Sequence, residues 1–210
     1  MPSLYDSLTP AQISSLLARA VEGYVTPDHL ELAAVLKGAA RPAAVLIPFL
    51  RMDQTWHILF TRRDSSLPEH SGQVAFPGGR ADPEDANLQA TALREAYEEI
   101  GLHPRDVTIL GQLNQFLTVT NYLVTPVVGL IPWPYPFRLQ DQEVSRVFTI
   151  PLAWLMDETH RERRTRTLPG FAYEIPVIYF QVYDGEILWG VSASFMVSLI
   201  NILQAYQGNP

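Results

Sequence analysis

Three glutamates fall within five residues of the segment Arg94-Glu95-Ala96-Tyr97-Glu98-Glu99-Ile100-Gly101-Leu102. On a helix, Glu95 stands at i, i+3 to Glu98 and at i, i+4 to Glu99, so all three carboxylates project over one patch. Like charges repel, and alone the arrangement costs helix stability. A hard divalent cation reverses the sign of the effect, because Mg²⁺ and Mn²⁺ prefer oxygen ligands and Mg²⁺ commonly bridges carboxylates and substrate phosphate oxygens. The competing reading is a solvated helix face, on which acidic pairs such as Glu98-Glu99 are ordinary.

Elements able to position such a patch surround it. From Leu88 to Glu99 the chain is helical in period, with Ala92, Ala96 and Ile100 on a face opposite much of the charge and Gly101 as the stop. Ala43 to Phe49 and Thr55 to Thr61 are apolar or β-branched runs of strand length separated by a polar turn, which predicts a hairpin. VTILGQL, YLVTPVVGLI and IPVIYFQVY read as further strands, and Ala193 to Ala205 as a last helix carrying Phe195, Leu199, Ile200 and Leu203. Pro132, Pro134 and Pro136 mark a loop, and residues 161–170, RERRTRTLPG, read as a solvated excursion between a short helix and a strand.

The first 40 residues form a helical preface. Thr9-Pro10-Ala11-Gln12 has the form of a capping box, and Ile13, Leu16, Leu17, Ala20 and Val21 follow at helical spacing. Thr26-Pro27 repeats the signal before Leu30, Ala33, Ala34 and Leu36, and Gly38 is a stop. The expected organisation is an α+β fold with an N-terminal helical extension over residues 1–40 and one main domain over 41–210.

Composition bounds the rest. The chain has 210 residues, 47% of them hydrophobic, enough to bury one substantial core. A formal net charge of −7 argues against broad attraction to nucleic acid or anionic membrane, while leaving room for a local basic pocket. The absence of cysteine removes disulfides, thiol nucleophiles and thiolate zinc sites, and the five histidines lack metal-ligand spacing. Neither a signal peptide nor a membrane span is indicated, and the cytoplasm is the expected compartment. The apolar helix faces suit a homodimer interface and packing onto the chain's own domain equally well.

Phe76-Pro77-Gly78-Gly79 followed by Arg94-Glu95-Ala96-Tyr97-Glu98-Glu99-Ile100-Gly101-Leu102 resembles the signature of the Nudix hydrolases, G-x5-E-x7-R-E-U-x-E-E-x-G-U with U aliphatic. The second half fits at every specified position, with Ala96 as U. In the first half, counting back from Arg94 puts Arg80 where Gly is expected and Ala86 where Glu is expected; counting from Gly79 leaves one extra residue, with Asp85 near the missing Glu. The resemblance implies a Nudix-type α/β/α sandwich with a mixed β-sheet, in which Mg²⁺ or Mn²⁺ is held against a diphosphate. Carried over, Glu95, Glu98 and Glu99 are metal ligands, the carbonyl of Gly78 is a further one, and Arg94 orients the glutamates. Glu98 or a glutamate from a distant loop serves as general base. The distant candidate is Glu143, whose other reading is a solvated loop residue.

A wider stretch is similar to the coenzyme A pyrophosphatase-like subgroup. Thr61, Arg63, Gly72 and Phe76-Pro77-Gly78-Gly79 agree with its upstream signature; Asp64 replaces Ser or Ala, and Pro68 replaces Arg. The resemblance implies hydrolysis of coenzyme A or an acyl-CoA to 3′,5′-ADP and 4′-phosphopantetheine. Pro68 offers neither charge nor donor for a phosphate, which keeps ADP-ribose, NADH or a nucleoside triphosphate open as substrates. A nucleotide-binding module without turnover is a further alternative. Arg62, Arg63 and His70 are candidate phosphate contacts, against the plainer readings of solvated arginines and a structural histidine. Asp64 either repels an anionic ligand or pairs with Arg62 or Arg63. Tyr179 and Trp189 either stack on an adenine or belong to the core.

Overall fold

The structure, a computed structural model, describes residues 4–21, 39–66, 71–167 and 174–205. Strands β1 (Arg41–Met52) and β2 (Thr55–Arg63) form the expected antiparallel hairpin. Its turn residues Asp53 and Gln54 both take positive φ, 46° and 67°, the mirror-image turn whose twist suits paired strands. Around this hairpin lie β3 (Val74–Ala75) and β4 (Gly78–Arg80), then β5 (Thr108–Gln112), β6 (Phe116–Leu117), β7 (Tyr122–Leu130) and β8 (Val144–Pro151). Together they make an eight-stranded sheet.

The sheet is mixed because β1 and β7 run parallel, in unbroken register from Arg41 opposite Tyr122 to Phe49 opposite Leu130. Both strands are buried from two sides, hence their near-continuous apolar sequence. Helix α1 (Pro10–Val21) starts at the expected capping box: Gln12 Oε1 accepts from the Thr9 N–H at 2.8 Å and Thr9 Oγ1 accepts from the Gln12 N–H at 3.3 Å. Helix α2 (Leu88–Ile100) covers one sheet face, setting Ala92, Ala96 and Ile100 against Ala44, Leu46 and Val127. After the short α3 (Leu152–Met156), the chain ends in α4 (Gly190–Gln204). Ile13 and Leu17 of α1 and Phe195 and Leu199 of α4 pack with Phe49 and Phe60 in the core on the other face. The result is the layered α+β architecture expected.

One sequence expectation changes. Residues 161–167 are not a loop: β9 (Arg161–Thr167) pairs antiparallel with β10 (Glu174–Tyr183), which pairs with β11 (Glu186–Trp189) in a separate three-stranded sheet. Most of β9 is exposed, so it carries no apolar alternation. The second preface helix, Leu30 to Gly38, lies outside the described residues. No helix among the described residues is long and apolar enough to cross a membrane.

Candidate active site

The acidic patch stands where α2 crosses β4. The helix is fixed at both ends: Asn87 Oδ1 accepts from the Ala90 N–H, and Gly101, at φ 69°, ends it by donating to the Tyr97 carbonyl at 2.9 Å. The alanines at positions 92 and 96 let the helix sit close to β1. Burial is then graded along the acidic residues: Glu99 is 4% exposed, the Glu95 side chain 16% and the Glu98 side chain 54%.

Beneath the helix, β4 pairs with β1, with Gly78 opposite Val45 and Gly79 opposite Ala44. The Leu46 N–H donates to Pro77 O and the Ala81 N–H to Pro42 O. This pattern leaves the N–H and C=O of Gly78 outside the ladder, and the N–H bonds to Glu99. The carbonyl assigned above to a metal is therefore not held by β1.

Arg94 uses every donor it has. Nε and one N–H of Nη2 reach Asp85 Oδ1 and Oδ2, each at 3.0 Å; Nη1 reaches Glu95 Oε1 at 2.9 Å and Glu98 Oε2 at 3.0 Å; Nη2 also reaches Arg80 O at 2.9 Å. Asp85 Oδ2 accepts in addition from the Asp82 N–H at 2.9 Å and the Thr91 hydroxyl at 2.8 Å. The Arg94 hydrogen bonds hold the Asp85 carboxyl well below the usual carboxylate range, against its partial burial. Asp85, given no role from sequence, thus anchors the arginine that orients two of the glutamates. The signal was its place, next to the expected glutamate.

Burial pushes Glu95 up, opposed by Arg94 and reinforced by Glu98 and Glu143. Glu99 is pushed up to about 8, chiefly by burial and then by Glu95, with Arg63 opposing and Glu143 adding. The structure therefore brings Glu95, Glu143 and Arg63 within electrostatic reach of Glu99. Two backbone bonds place Glu143: Gln140 N–H donates to Glu99 O, and Asp64 N–H donates to Glu143 O, each at 2.9 Å.

Arg62 and Arg63, equivalent in sequence, project from opposite faces of β2. Arg63 faces the acidic helix, and its buried Nε bonds to no described group. Arg62 is paired to Glu186 at 3.4 Å on the far side. Asp64 accepts from the Ser66 N–H at 2.8 Å, and no ion pair joins it to either arginine among the described residues. His70 and Pro68 lie outside the described residues. Tyr179 and Trp189 stack on each other, centroids 5.4 Å apart at 4°, with Arg164 over one ring and Arg166 over the other, so their faces are already engaged.

The donors suit a hard cation. They are carboxylate oxygens with a backbone carbonyl beside them, and ionising Glu95 and Glu99 together is unfavourable without added positive charge. Among the described residues no three acidic side chains converge into a ready-made cage. A hard ion there would be held by one or two of the carboxylates and completed by substrate oxygens.

Residues 40–171 match the NUDIX domain family. Relatives described as the uncharacterized Nudix hydrolase NudL, from Yersinia pestis and Yersinia pseudotuberculosis, are 40% identical over 157 residues, which is 74% of this chain and 76% of theirs. The solved structure of a MutT/nudix family protein from Enterococcus faecalis aligns with a TM-score of 0.52 at 14% identity, covering 94% of this chain and 75% of that one. A MutT protein from Methanosarcina mazei aligns with a TM-score of 0.51 at 16% identity, covering 83% and 99%. At such identities the likeness is one of fold.

Proposed function

This chain belongs to the Nudix family and is a pyrophosphohydrolase, and from that premise we propose that it cleaves coenzyme A or an acyl-CoA between the two phosphates, with Mg²⁺ or Mn²⁺ as cofactor. Water adds to one phosphorus, the bridging oxygen leaves with the other, and a proton is released, giving 3′,5′-ADP and 4′-phosphopantetheine. The observation that carries the reading is the buried Glu99 beside Gly78, with Glu95 against Gly79 and with Arg63 and Glu143 within electrostatic reach of Glu99.

Glu95, Glu98 and Glu99, with the Gly78 carbonyl, are the ligands on which a divalent metal would draw, one or two carboxylates at a time, with substrate oxygens completing its shell. A divalent ion held by these residues would supply charge neutralisation and fixation of the diphosphate oxygens. Arg94, saturated by its own five bonds, cannot reach substrate and instead keeps Glu95 and Glu98 in place. Arg63 takes a phosphate oxygen on the face where its charge meets Glu99. Glu143, exposed and bound to no cation among the described residues, takes the proton of the attacking water. Residues 1–40 belong to this reading as an extension of the hydrolase domain 41–210, with Leu8, Ile13 and Leu17 set into its core. The compartment is the cytoplasm.

Thr61, Arg63, Gly72 and Phe76-Pro77-Gly78-Gly79 support coenzyme A, and Pro68 is the residue that opposes it. Purified protein with Mn²⁺ is given coenzyme A, acetyl-CoA, ADP-ribose, NADH and nucleoside triphosphates, and kcat/KM is compared. Release of 3′,5′-ADP with the highest kcat/KM supports the proposal; a higher value for another compound replaces coenzyme A. Binding of any of them without turnover returns the protein to a nucleotide-binding module, which has no need of all three glutamates.

A further inference from the structure

Behind the site, on the face of β2 away from α2, one buried carboxylate joins three strands. Glu186 of β11 is 7% exposed, and its Oε1 accepts from Arg146 Nη1 of β8 at 3.1 Å and from Arg62 Nη1 of β2 at 3.4 Å. Arg146 Nη1 also donates to the Asp184 carbonyl at 3.0 Å, and Nη2 bonds the Asp184 carboxylate. Asp184 and Gly185, at φ 50° and 79°, form the turn between β10 and β11. A buried carboxylate is costly unless paired, and here two guanidiniums meet it. The hairpin of the smaller sheet is thereby clamped to the larger one.

The clamp grips two strands next to the residues that face the diphosphate. Arg62 precedes Arg63, and Arg146 follows Glu143 closely, with a register shift between them where β8 pairs with Arg62 and Arg63. Within that shift the Ser145 hydroxyl donates to the Arg62 carbonyl at 3.2 Å. Strand alternation turns Arg62 toward Glu186 and Arg63 toward Glu99, so holding the first side chain fixes the backbone from which the second departs. Glu186 itself lies on the wrong face of the sheet to touch substrate.

We infer that Glu186 is a positioning residue for the diphosphate site, acting through Arg62 and Arg146 on the ends of β2 and β8 that carry Arg63 and Glu143. The inference rests on the diphosphate reading of the site given above. It accounts for a buried ion cluster that the acidic helix does not use.

Calorimetric titration with methylenebisphosphonate, an unhydrolysable diphosphate, in the presence of Mn²⁺ tests it on the folded full chain. Wild type should bind. Arg63→Ala and Glu186→Gln should each weaken binding, roughly tenfold, and in the Arg63→Ala background Glu186→Gln should add nothing further. Full additivity of the two losses, or undiminished binding by Glu186→Gln, overturns the inference while leaving the diphosphate site intact. Failure of wild type to bind overturns the diphosphate reading, and the inference with it. If Glu186→Gln does not fold, Arg146→Gln, altered at a side chain 39% exposed, replaces it with the same expectations.

Discussion

A Cβ placed on Gly79 would stand 2.5 Å from Oε1 of Glu95 and 2.6 Å from its Cδ. Carboxylate and backbone share a space that only glycine leaves open, on a strand already hydrogen-bonded to β1. Gly79→Ala is therefore expected to displace Glu95 from its Arg94 bond and lower kcat by about 10²-fold, the scale for an ångström of misplacement in a site. Steady-state kinetics with Mn²⁺ checks it, and wild-type kcat in a folded variant would show that Glu95 tolerates the shift.

Arg94 makes five hydrogen bonds to four residues, and lysine has three donors on a point charge. Arg94→Lys should lose activity almost as completely as Arg94→Ala. Asp85→Ala, which removes the carboxylate that takes two of those bonds, should lower stability by about 1–3 kcal/mol and loosen Mn²⁺ binding. Denaturant unfolding and Mn²⁺ titration are the measurements; unchanged values in both would reduce the Asp85–Arg94 contact to a surface pair.

Glu99→Gln and Glu98→Gln should both cut turnover by orders of magnitude, and their metal titrations should differ. Glu99 is buried and Glu98 half-exposed, so weakening of Mn²⁺ affinity should be greater for Glu99→Gln. Retained turnover in either variant would remove that residue from the reaction.

The metal-free protein should lose stability as pH rises. Glu99, pushed up to about 8 in the fold, has an ordinary carboxylate value of about 4.3 in the unfolded chain. Between these values the folded state holds a proton that the unfolded state has released, so the contribution is full below about pH 4.3 and is lost as pH climbs through 8. Glu95, also raised, acts in the same direction. In a chelator, Tm should fall from pH 5 to pH 8.5, and Glu99→Gln should flatten that fall. Mn²⁺, which binds the ionised carboxylates, should oppose it. A chelated wild type whose Tm is constant or rises over the range would contradict the burial of Glu99.

Much of this was legible because burial leaves a periodic trace. The hairpin of β1 and β2, the helix with Ala92, Ala96 and Ile100 inward, and its stop at Gly101 each show in the order of apolar residues. Strand β9 did not, since Arg163, Arg164 and Arg166 are exposed and only the ladder to β10 makes a strand of them. Within the site, the glutamates were readable as neighbours on one helix. The separation of Arg62 from Arg63 required knowing which face of β2 meets α2, and Glu186 lies 124 positions from the arginine it holds. No local pattern encodes such a contact.

The partnership of Asp85 with Arg94 also bears on how this chain could have diverged. Eight residues separate the two, one more than separate the glutamate and the arginine of the general signature, and Asp85 is one methylene shorter than that glutamate. Loop length and side-chain reach are expected to compensate for each other, so that neither change should be neutral alone. Deleting one residue between Asp85 and Asn87 should disable the protein, as should Asp85→Glu by itself, and the two combined should restore what each destroys. Activity and Mn²⁺ titration of the three variants check it, and an active single variant would uncouple loop length from side-chain reach.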